Sequence, residues 1–251
     1  MNAIPAALEW HIRFREHKSK EESAYIVQIL QLFERKLHQK YLTILDVGCG
    51  NGRIHPLLRK KGFKVYGIDT ETALLKEAKE KFPAYAENYY KKDMRKFTLK
   101  KRFDVMLSWF TSFGYFSDTG NLSVLKSMKK NLKKDGLLLL DIPNKQSRKF
   151  RRKKFSHIQM DGLYVEKIDN SIEQKNNQTV LVFTQQFYGK DGKKLQFIKK
   201  KQKKVRLYDK NEIIPLLDKA GFEIISVFKT MSFFNARADA KRILIIAKPK
   251  K

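Results

Sequence analysis

The glycine-rich stretch ILDVGCGNGR, residues 44–53, is the part of the chain whose residue types and spacing most directly indicate chemistry. An apolar run leads the backbone into a loop that contains Gly48, Gly50 and Gly52. Glycine has no Cβ, so the loop can turn sharply and a ligand can lie against its main chain. A helix is predicted to begin near Arg53, and its free N–H groups would face the same loop. This arrangement of strand, loop and helix predicts a cradle for a nucleotide-type ligand.

Polar side chains follow the predicted strands at their carboxyl ends. The second strand-like run, 64–68, ends in an aspartate about 20 residues beyond the loop, where a nucleoside-binding unit places an acid for the ribose hydroxyls. A third and weaker strand is predicted at 87–91, a fourth at 103–107 and a fifth at 136–143. Ligands of open α/β sheets bind outside the carboxyl ends of the strands. The residues at these ends are Asp46, Asp69, Asp93, Ser108 and Asp141.

The spacing of the glycines distinguishes two kinds of nucleoside site. The sequence has G-x-G-x-G preceded by Asp46, whereas dinucleotide-binding proteins have G-x-G-x-x-G, and this difference indicates S-adenosylmethionine. With the ordered strands, residues 42–143 resemble the class I S-adenosylmethionine-dependent methyltransferases, and FTSFGYF and LLLDIPN resemble a small prokaryotic type with an antiparallel cap. The resemblance implies an α/β fold: a doubly wound, Rossmann-like, seven-stranded sheet with an antiparallel β cap inserted after the fifth strand.

The same resemblance implies a set of cofactor-binding residues. Residues 46–52 would surround the methionine moiety, and Asp69 would accept hydrogen bonds from both ribose hydroxyls. Asp93 would accept from the adenine amino group, with Met94 packed against the ring, and residues 108–110 would line the methionine side. The full implied set is Asp46, Gly48, Cys49, Gly50, Asn51, Asp69, Thr70, Asp93, Met94, Ser108 and Trp109.

Methyl transfer from a sulfonium mainly requires a nucleophile placed in line with the methyl group and protected from water. A general base helps only where the nucleophile carries a proton of high pKa, and the sequence shows no decisive one. Tyr115 and Asp141 are the best catalytic candidates because both follow predicted strands. The alternatives are an aromatic pocket wall for the tyrosine and hydrogen bonds to loop amides for the aspartate. The candidates on the substrate side are Phe113, Tyr115, Arg148 and Arg151.

The sulfur and imidazole groups of the chain do not indicate a metal or redox centre. The single cysteine, Cys49, lies in the glycine loop, where small size is a simpler explanation than nucleophilic chemistry. One cysteine cannot form an internal disulfide, which favours a reducing cytoplasm. The five histidines have no spacing typical of a metal site, so no metal is predicted. His157 lies at the entrance of the predicted cap, where surface exposure is the alternative to catalysis.

Composition limits the function further. The chain of 251 residues is 42% hydrophobic, which is enough for a normal core, and no stretch approaches the ~18–20 apolar residues that cross a bilayer. The start, MNAIPAALEWHIRF, lacks the pattern of a signal peptide, so a cytoplasmic location is predicted. The formal net charge of +28 favours an anionic partner, and two basic clusters at 148–154 and 193–204 flank the predicted cap. Lysines spread over solvated faces are the alternative.

The chain is predicted to divide into three parts. Residues 1–150 form the S-adenosylmethionine-binding core with a helical N-terminal lead-in, and residues 151–208 form the cap on the substrate side. Residues 209–251 add a helix and two antiparallel strands that complete the core sheet. The cap is predicted to contain three strands, 162–174, 178–188 and 194–208, and the following helix to begin at a capping box, Asp209-x-x-Glu212. The connection at 229–241 is long enough to reach the cleft.

Three functions agree with these features. The first is a methyltransferase for a small, anionic acceptor molecule, because a cap favours a closed pocket. The second is a methyltransferase for tRNA or rRNA, which the charge favours although no separate RNA-binding module is recognisable. The third is a non-catalytic nucleoside-binding protein, which would require damage to the glycine loop or the ribose acid. Oligomeric state is left open.

Overall fold

The apolar runs of the sequence form one mixed sheet with polar residues at its strand ends. The structure is a computed structural model that describes residues 18–147, 154–160, 164–175, 177–191, 194–228 and 241–250. The core strands are β1 (Thr43–Val47), β2 (Lys64–Asp69), β3 (Tyr89–Lys91), β4 (Phe103–Ser108), β5 (Leu132–Pro143), β10 (Phe222–Phe228) and β11 (Arg242–Pro249). Their order is β10-β11-β5-β4-β1-β2-β3, and β11 runs antiparallel to its two neighbours. The predicted seven-stranded α/β sheet is confirmed.

Helices cover both faces of this sheet because its central strands are apolar on both sides. The helices are α1 (Ser19–Leu37), α2 (His55–Arg59), α3 (Thr72–Lys81), α4 (Asp118–Asn131) and α5 (Lys210–Lys219), with a 3-10 helix at Pro83–Asn88. In β4, Val105 and Leu107 pack in the cluster that contains α1 and α2, whereas Met106 packs in the cluster that contains α4 and α5. The sheet is therefore doubly wound, as predicted.

A second, separate antiparallel sheet follows β5. It has four strands in sequential order: β6 (Lys154–Met160), β7 (Tyr164–Lys175), β8 (Gln178–Asp191) and β9 (Lys194–Leu207). The prediction of three cap strands is wrong by one, since β6 pairs with β7 along its whole length. The segment KFSHIQM has no regular alternation of apolar and polar residues, so the period of a strand is not visible in it. The boundaries of the three predicted parts, 1–150, 151–208 and 209–251, stay a prediction.

One strand boundary also differs from the prediction. Helix α4 ends at Asn131, and β5 begins at Leu132 instead of near 136, because Leu132 pairs with Phe103 across an irregularity in the β4–β5 register. The predicted capping box of α5 is confirmed, with Asp209 and Glu212 each accepting a hydrogen bond from the other's backbone N–H. Among the described residues, no helix combines the length and apolarity needed to span a bilayer.

Candidate functional site

The glycine loop lies at the carboxyl ends of β1, β2 and β4, which meet at one edge of the sheet. The backbone N–H groups of Gly48 and Cys49 both donate to Ile68 O, at 2.8 and 3.0 Å, so the loop is fastened to the end of β2. Gly50 N donates to Asp69 Oδ2 at 2.8 Å. The loop and the predicted ribose acid are thus held together before any ligand binds.

Gly48 is the position where the loop has no room for a side chain. Its φ is +79°, and a Cβ there would lie 2.8 Å from Ser112 Cβ and 3.5 Å from Met94 Cε. Ser112 itself lies against the loop, with its Oγ 3.0 Å from Gly48 O. The structure therefore brings Met94 and the loop after β4 directly against the predicted cofactor loop.

Gly48→Ala should lower the free energy of unfolding by about 1–3 kcal/mol more than Gly62→Ala, because an added methyl group must displace packed atoms only at the first site. Gly62 is a matched control: its φ is +91°, and a Cβ there would meet nothing within 4 Å. Both alanines carry the cost of a left-handed backbone. Urea denaturation of the two variants measures the difference, and equal losses would contradict the crowding at Gly48.

Asp69 accepts two backbone hydrogen bonds, one on each oxygen. Oδ2 takes the N–H of Gly50 at 2.8 Å and Oδ1 takes the N–H of Glu71 at 2.9 Å. A carboxylate can accept about four hydrogen bonds, so each oxygen retains capacity for a ribose hydroxyl. Thr70 is exposed beside it. This geometry fits the predicted ribose role, which stays a prediction.

Asp93, the predicted partner of the adenine amino group, is held by Arg95. Its Oδ2 accepts from Arg95 Nη2 at 2.6 Å, and its Oδ1 accepts from the backbone N–H of Arg95 at 2.9 Å. The hydrogen bonds from Arg95 hold the pKa of the Asp93 carboxyl below its usual range. The guanidinium carbon in turn lies 4.5 Å from the ring centre of Phe116. An adenine amino group would have to share Asp93 with this guanidinium, and the adenine role stays a prediction.

A buried histidine network packs against the glycine loop, and it was not predicted from the sequence. His55 is 0% exposed; its Nε2 lies 3.0 Å from Asp46 Oδ2 and its Nδ1 lies 3.1 Å from Tyr89 Oη. The two rings stack at 8° with centres 5.4 Å apart. Burial raises the pKa of Tyr89 to about 12, so its hydroxyl keeps its proton at neutral pH. Asp46 therefore contacts the protein interior through one oxygen, although the prediction assigned it only to the ligand.

The glycine loop also depends on Gly67, which the sequence analysis did not select. A Cβ at Gly67 would lie 2.5 Å from Cys49 Sγ and 3.0 Å from His55 Cε1. The available signal was a glycine inside a strand, which often marks a close approach of two segments. Cys49 is buried, and its burial, with the nearby Asp46 carboxylate, raises the pKa of its thiol. A protonated, inaccessible thiol agrees with the simpler explanation of Cys49 as a small packing residue.

Three predicted cofactor residues are buried and differ in their partners. Asn51 Nδ2 donates to Glu77 Oε1 of α3 at 3.1 Å. Trp109 Nε1 donates to Glu22 Oε2 of α1 at 3.1 Å, so its indole N–H is directed at the first helix. Ser108 is 0% exposed, and its hydroxyl has no hydrogen-bond partner among the described residues. An unpartnered buried hydroxyl at the end of β4 fits a bound polar group on the methionine side.

Asp141 is placed as a positioning residue, and its predicted role as a catalytic base does not agree with the geometry. It is 0% exposed, and Arg242 Nε lies 2.6 and 2.8 Å from its two oxygens. Its Oδ2 also accepts from Phe110 N at 2.9 Å. A base must reach a proton of the substrate, and this carboxylate is fully engaged inside the protein. The hydrogen bond from Phe110 N agrees with the alternative, in which Asp141 binds loop amides, and the role of Asp141 stays a prediction.

The loop that Asp141 holds contains strained backbone. Phe110 and Thr111 have φ of +52° and +66°, in the left-handed region that side chains with a Cβ seldom adopt. Arg242 Nη1 donates to Thr111 Oγ1 at 2.9 Å, which adds a second restraint. Such strain persists only where surrounding contacts over-determine it, and it concentrates at functional sites.

The predicted substrate-side residues lie in different environments. Phe113 is 1% exposed and packs on Tyr208 in the core, with ring centres 5.9 Å apart, so it does not face a substrate. Tyr115 is 40% exposed and stays the remaining catalytic candidate. Arg148 and Arg151 lie outside the described residues, as do residues 229–240 and the side chain of His157. In the described part of the chain, no group of three or more His, Cys, Asp or Glu side chains is suited to hold a metal ion.

Taken together, the described residues fit S-adenosylmethionine. The loop around Gly48 is closed to a side chain, Asp69 keeps acceptor capacity at the end of β2, and the Ser108 hydroxyl is buried without a partner. A carboxylate with remaining acceptor capacity and a buried hydroxyl match an amino-acid-bearing nucleoside.

Comparison with known proteins identifies the family of the chain. The family model described as a methyltransferase domain matches residues 13–227. The Bacillus subtilis (strain 168) protein YqeM is 33% identical over 102 residues, a match that spans 39% of this chain and 41% of YqeM. The chain therefore aligns with less than half of that curated relative.

Two solved structures share the fold over nearly the whole chain. An S-adenosylmethionine-dependent methyltransferase from Clostridium acetobutylicum ATCC 824 has a TM-score of 0.77 at 18% identity, with 92% of both chains covered. The sugar N-methyltransferase KedS8 from Streptoalloteichus sp. ATCC 53650 has a TM-score of 0.76 at 16% identity, with 100% of this chain and 96% of KedS8 covered. The predicted fold and the predicted methyltransferase family are confirmed. The chain belongs to the methyltransferase-domain family, and it shares its fold with an S-adenosylmethionine-dependent methyltransferase.

Proposed function

We propose that the chain transfers the methyl group of S-adenosylmethionine to a small, anionic acceptor molecule, and that nucleotide-linked amino sugars, whose diphosphate is anionic, are the first acceptors to test. The observation that carries the proposal is the glycine loop fastened to β2, with Asp69 bonded to Gly50 N at 2.8 Å. The similarity in fold to the sugar N-methyltransferase KedS8, over 100% of this chain, supports the choice of acceptor class. We also propose Asp46, Gly48, Asp69 and Ser108 as cofactor contacts.

The residues of the chain contribute mainly by placement. When bound, the cofactor supplies a methyl group on a positively charged sulfur, open to in-line attack by a lone pair of the acceptor. The glycine loop and Asp69 orient the nucleoside, and the loop after β4, held by Asp141 and Arg242, lies against the glycine loop through Ser112. Fixed placement of two reactants is worth a large part of the barrier in such reactions. Tyr115, which is 40% exposed, is the side chain that we propose to contact the acceptor.

The charge of the cap supports an anionic acceptor. Strand β9 carries the exposed Lys203 on the face that also bears Val205, whereas the exposed Lys200 and Lys204 lie on its other face, where Lys204 Nζ lies 3.0 Å from Glu173 Oε2. Together with the net charge of +28, these side chains attract anions to the cap. The predicted RNA substrate gains no specific support from the described residues. A cytoplasmic location stays a prediction.

The test is to incubate the protein with S-adenosylmethionine labelled on the methyl group and a cell lysate separated into small-molecule, RNA and protein fractions. We expect label in the small-molecule fraction, on a species retained by an anion-exchange resin. Nucleotide-linked amino sugars form a second, defined panel. Label in RNA or in protein, with none in the small molecules, would overturn the proposal.

A further inference from the structure

Asn170, in the middle of β7, is a buried carboxamide without a partner. The residue is 3% exposed, and neither Oδ1 nor Nδ2 has a hydrogen-bond partner among the described residues. Buried side-chain polar atoms in native proteins nearly always have a partner. Two unbonded atoms on one side chain therefore indicate that a group from outside the chain completes the site.

The strand register shows which way this side chain faces. Asn170 pairs with Phe183 of β8, and two residues further along the same face Ile172 pairs with Leu181, which in turn pairs with Val205 of β9. Side chains two residues apart on a strand share a face, about 7 Å apart. Asn170 therefore lies on the same face as Val205, one row along and two strands across, which places the two residues about 12 Å apart.

Val205 is where this face of the cap meets the core. Its Cγ1 lies 3.1 Å from the position that a Cβ on Gly114 would occupy, and the neighbouring Arg206 N donates to Gly114 O at 2.7 Å. Gly114 belongs to the β4–α4 loop, residues 109–117, which also contains Ser112 at the glycine loop and the catalytic candidate Tyr115. The face that carries Asn170 is thus the face directed at the proposed active-site loop.

The neighbours of Asn170 on this face match a small-molecule site. Ile168 and Phe187 are 6% and 2% exposed, and Gln185 provides a second carboxamide at 5% exposure. An apolar lining with a few convergent polar groups is typical of a ligand pocket. A carboxamide both donates and accepts, so it pairs with a hydroxyl or an amine, each of which can do the same.

We propose that Asn170 is a specificity-determining residue that binds a hydroxyl or amino group of the acceptor between the cap and the β4–α4 loop. The inference rests on the proposed function and deepens it. The cap would thus recognise the neutral, polyhydroxylated or amino-bearing part of the acceptor.

The test compares Asn170→Leu with Gln186→Leu, a matched change on the opposite face of the cap sheet. The acceptor is supplied as the small-molecule fraction of a lysate. The amount of this fraction is varied by dilution at a fixed concentration of methyl-labelled cofactor, and the rate of label transfer is measured. Asn170→Leu should raise the half-saturating amount of the fraction at least tenfold, while Gln186→Leu leaves it within about twofold. Binding of S-adenosylhomocysteine, measured by calorimetry, should be unchanged in both variants, since neither side chain lies at the cofactor loop.

Stability provides an independent readout. Leucine removes two unbonded polar atoms, so Asn170→Leu should have a urea midpoint at or above that of the wild type; Asn170→Ala is the second variant if leucine is too large. A lower midpoint in both variants would show that the carboxamide supports the fold, and would overturn the proposal. Wild-type half-saturation in a folded Asn170 variant would overturn it too. No label with the wild-type protein would instead overturn the proposed function, and this inference with it.

Discussion

Arg242→Met should lower the free energy of unfolding by about 3–5 kcal/mol, because it leaves the Asp141 carboxylate buried without its partner. Asp141 is 0% exposed and the Arg242 side chain 12% exposed, so solvent cannot replace the guanidinium. The substitution also removes the hydrogen bond to Thr111 Oγ1. The neighbouring positive-φ residues should then relax, and methyl transfer should fall together with stability.

The matched control for this change is Lys248→Met, on the same strand. Lys248 Nζ lies 3.4 Å from Glu223 Oε2, but the two side chains are 40% and 57% exposed. Exposed ion pairs contribute about 0–1 kcal/mol, so Lys248→Met should be close to the wild type. Urea denaturation followed by circular dichroism compares the two variants. If both lose the same small amount, the Asp141–Arg242 pair does not hold the active-site loop.

Asp69→Ala should weaken the binding of S-adenosylmethionine more than a hundredfold. Hydrogen bonds between a charged group and a ligand contribute about 1.5–3 kcal/mol each, and Asp69 is proposed to make two with the ribose. A loss of about 3 kcal/mol corresponds to more than two decades in Kd. Asp69 also fastens Gly50 N, so part of the loss would come from a loosened loop. Titration calorimetry with the cofactor measures the effect.

Two further variants separate these contributions. Asp69→Asn keeps one oxygen that can accept from a backbone N–H, so its loss of affinity should be intermediate. Asp135→Ala removes an exposed carboxylate near the amino end of β5, whereas the proposed site lies at the carboxyl ends of the strands. This variant should bind the cofactor like the wild type. Equal affinities for the wild type and Asp69→Ala would show that the nucleoside lies elsewhere.

Much of the core fold could be predicted because its signals are local. The apolar runs of β1, β4 and β5 are buried on both sides, and a continuous apolar strand of this kind is typical of a parallel sheet. The capping box at Asp209 and Glu212 needs only residues three apart. The first cap strand was missed because its register depends on pairing with β7, which no local period reveals.

The candidate site was also predictable only in its local features. Its glycine loop and Asp69 were predicted, and the structure places both at the carboxyl ends of neighbouring strands. Contacts between distant residues were not predictable: Trp109 meets Glu22 across 87 positions, and Asp141 meets Arg242 across 101. These partners bind two of the predicted site residues, Trp109 and Asp141, to distant parts of the protein, and their site roles stay predictions.

The amino-acid sequence by itself determined the glycine loop and the strand-end acids of the proposed nucleoside site, since both act through backbone geometry over a few residues. Only the tertiary structure decided which polar groups form hydrogen bonds or ion pairs inside the protein and which remain for a ligand. Asp141 is paired with Arg242, whereas the polar side-chain atoms of Ser108 and Asn170 are buried with no hydrogen-bond partner in the described residues. The reason is physical: the satisfaction of a buried polar group depends on neighbours that the packing of distant segments brings to it.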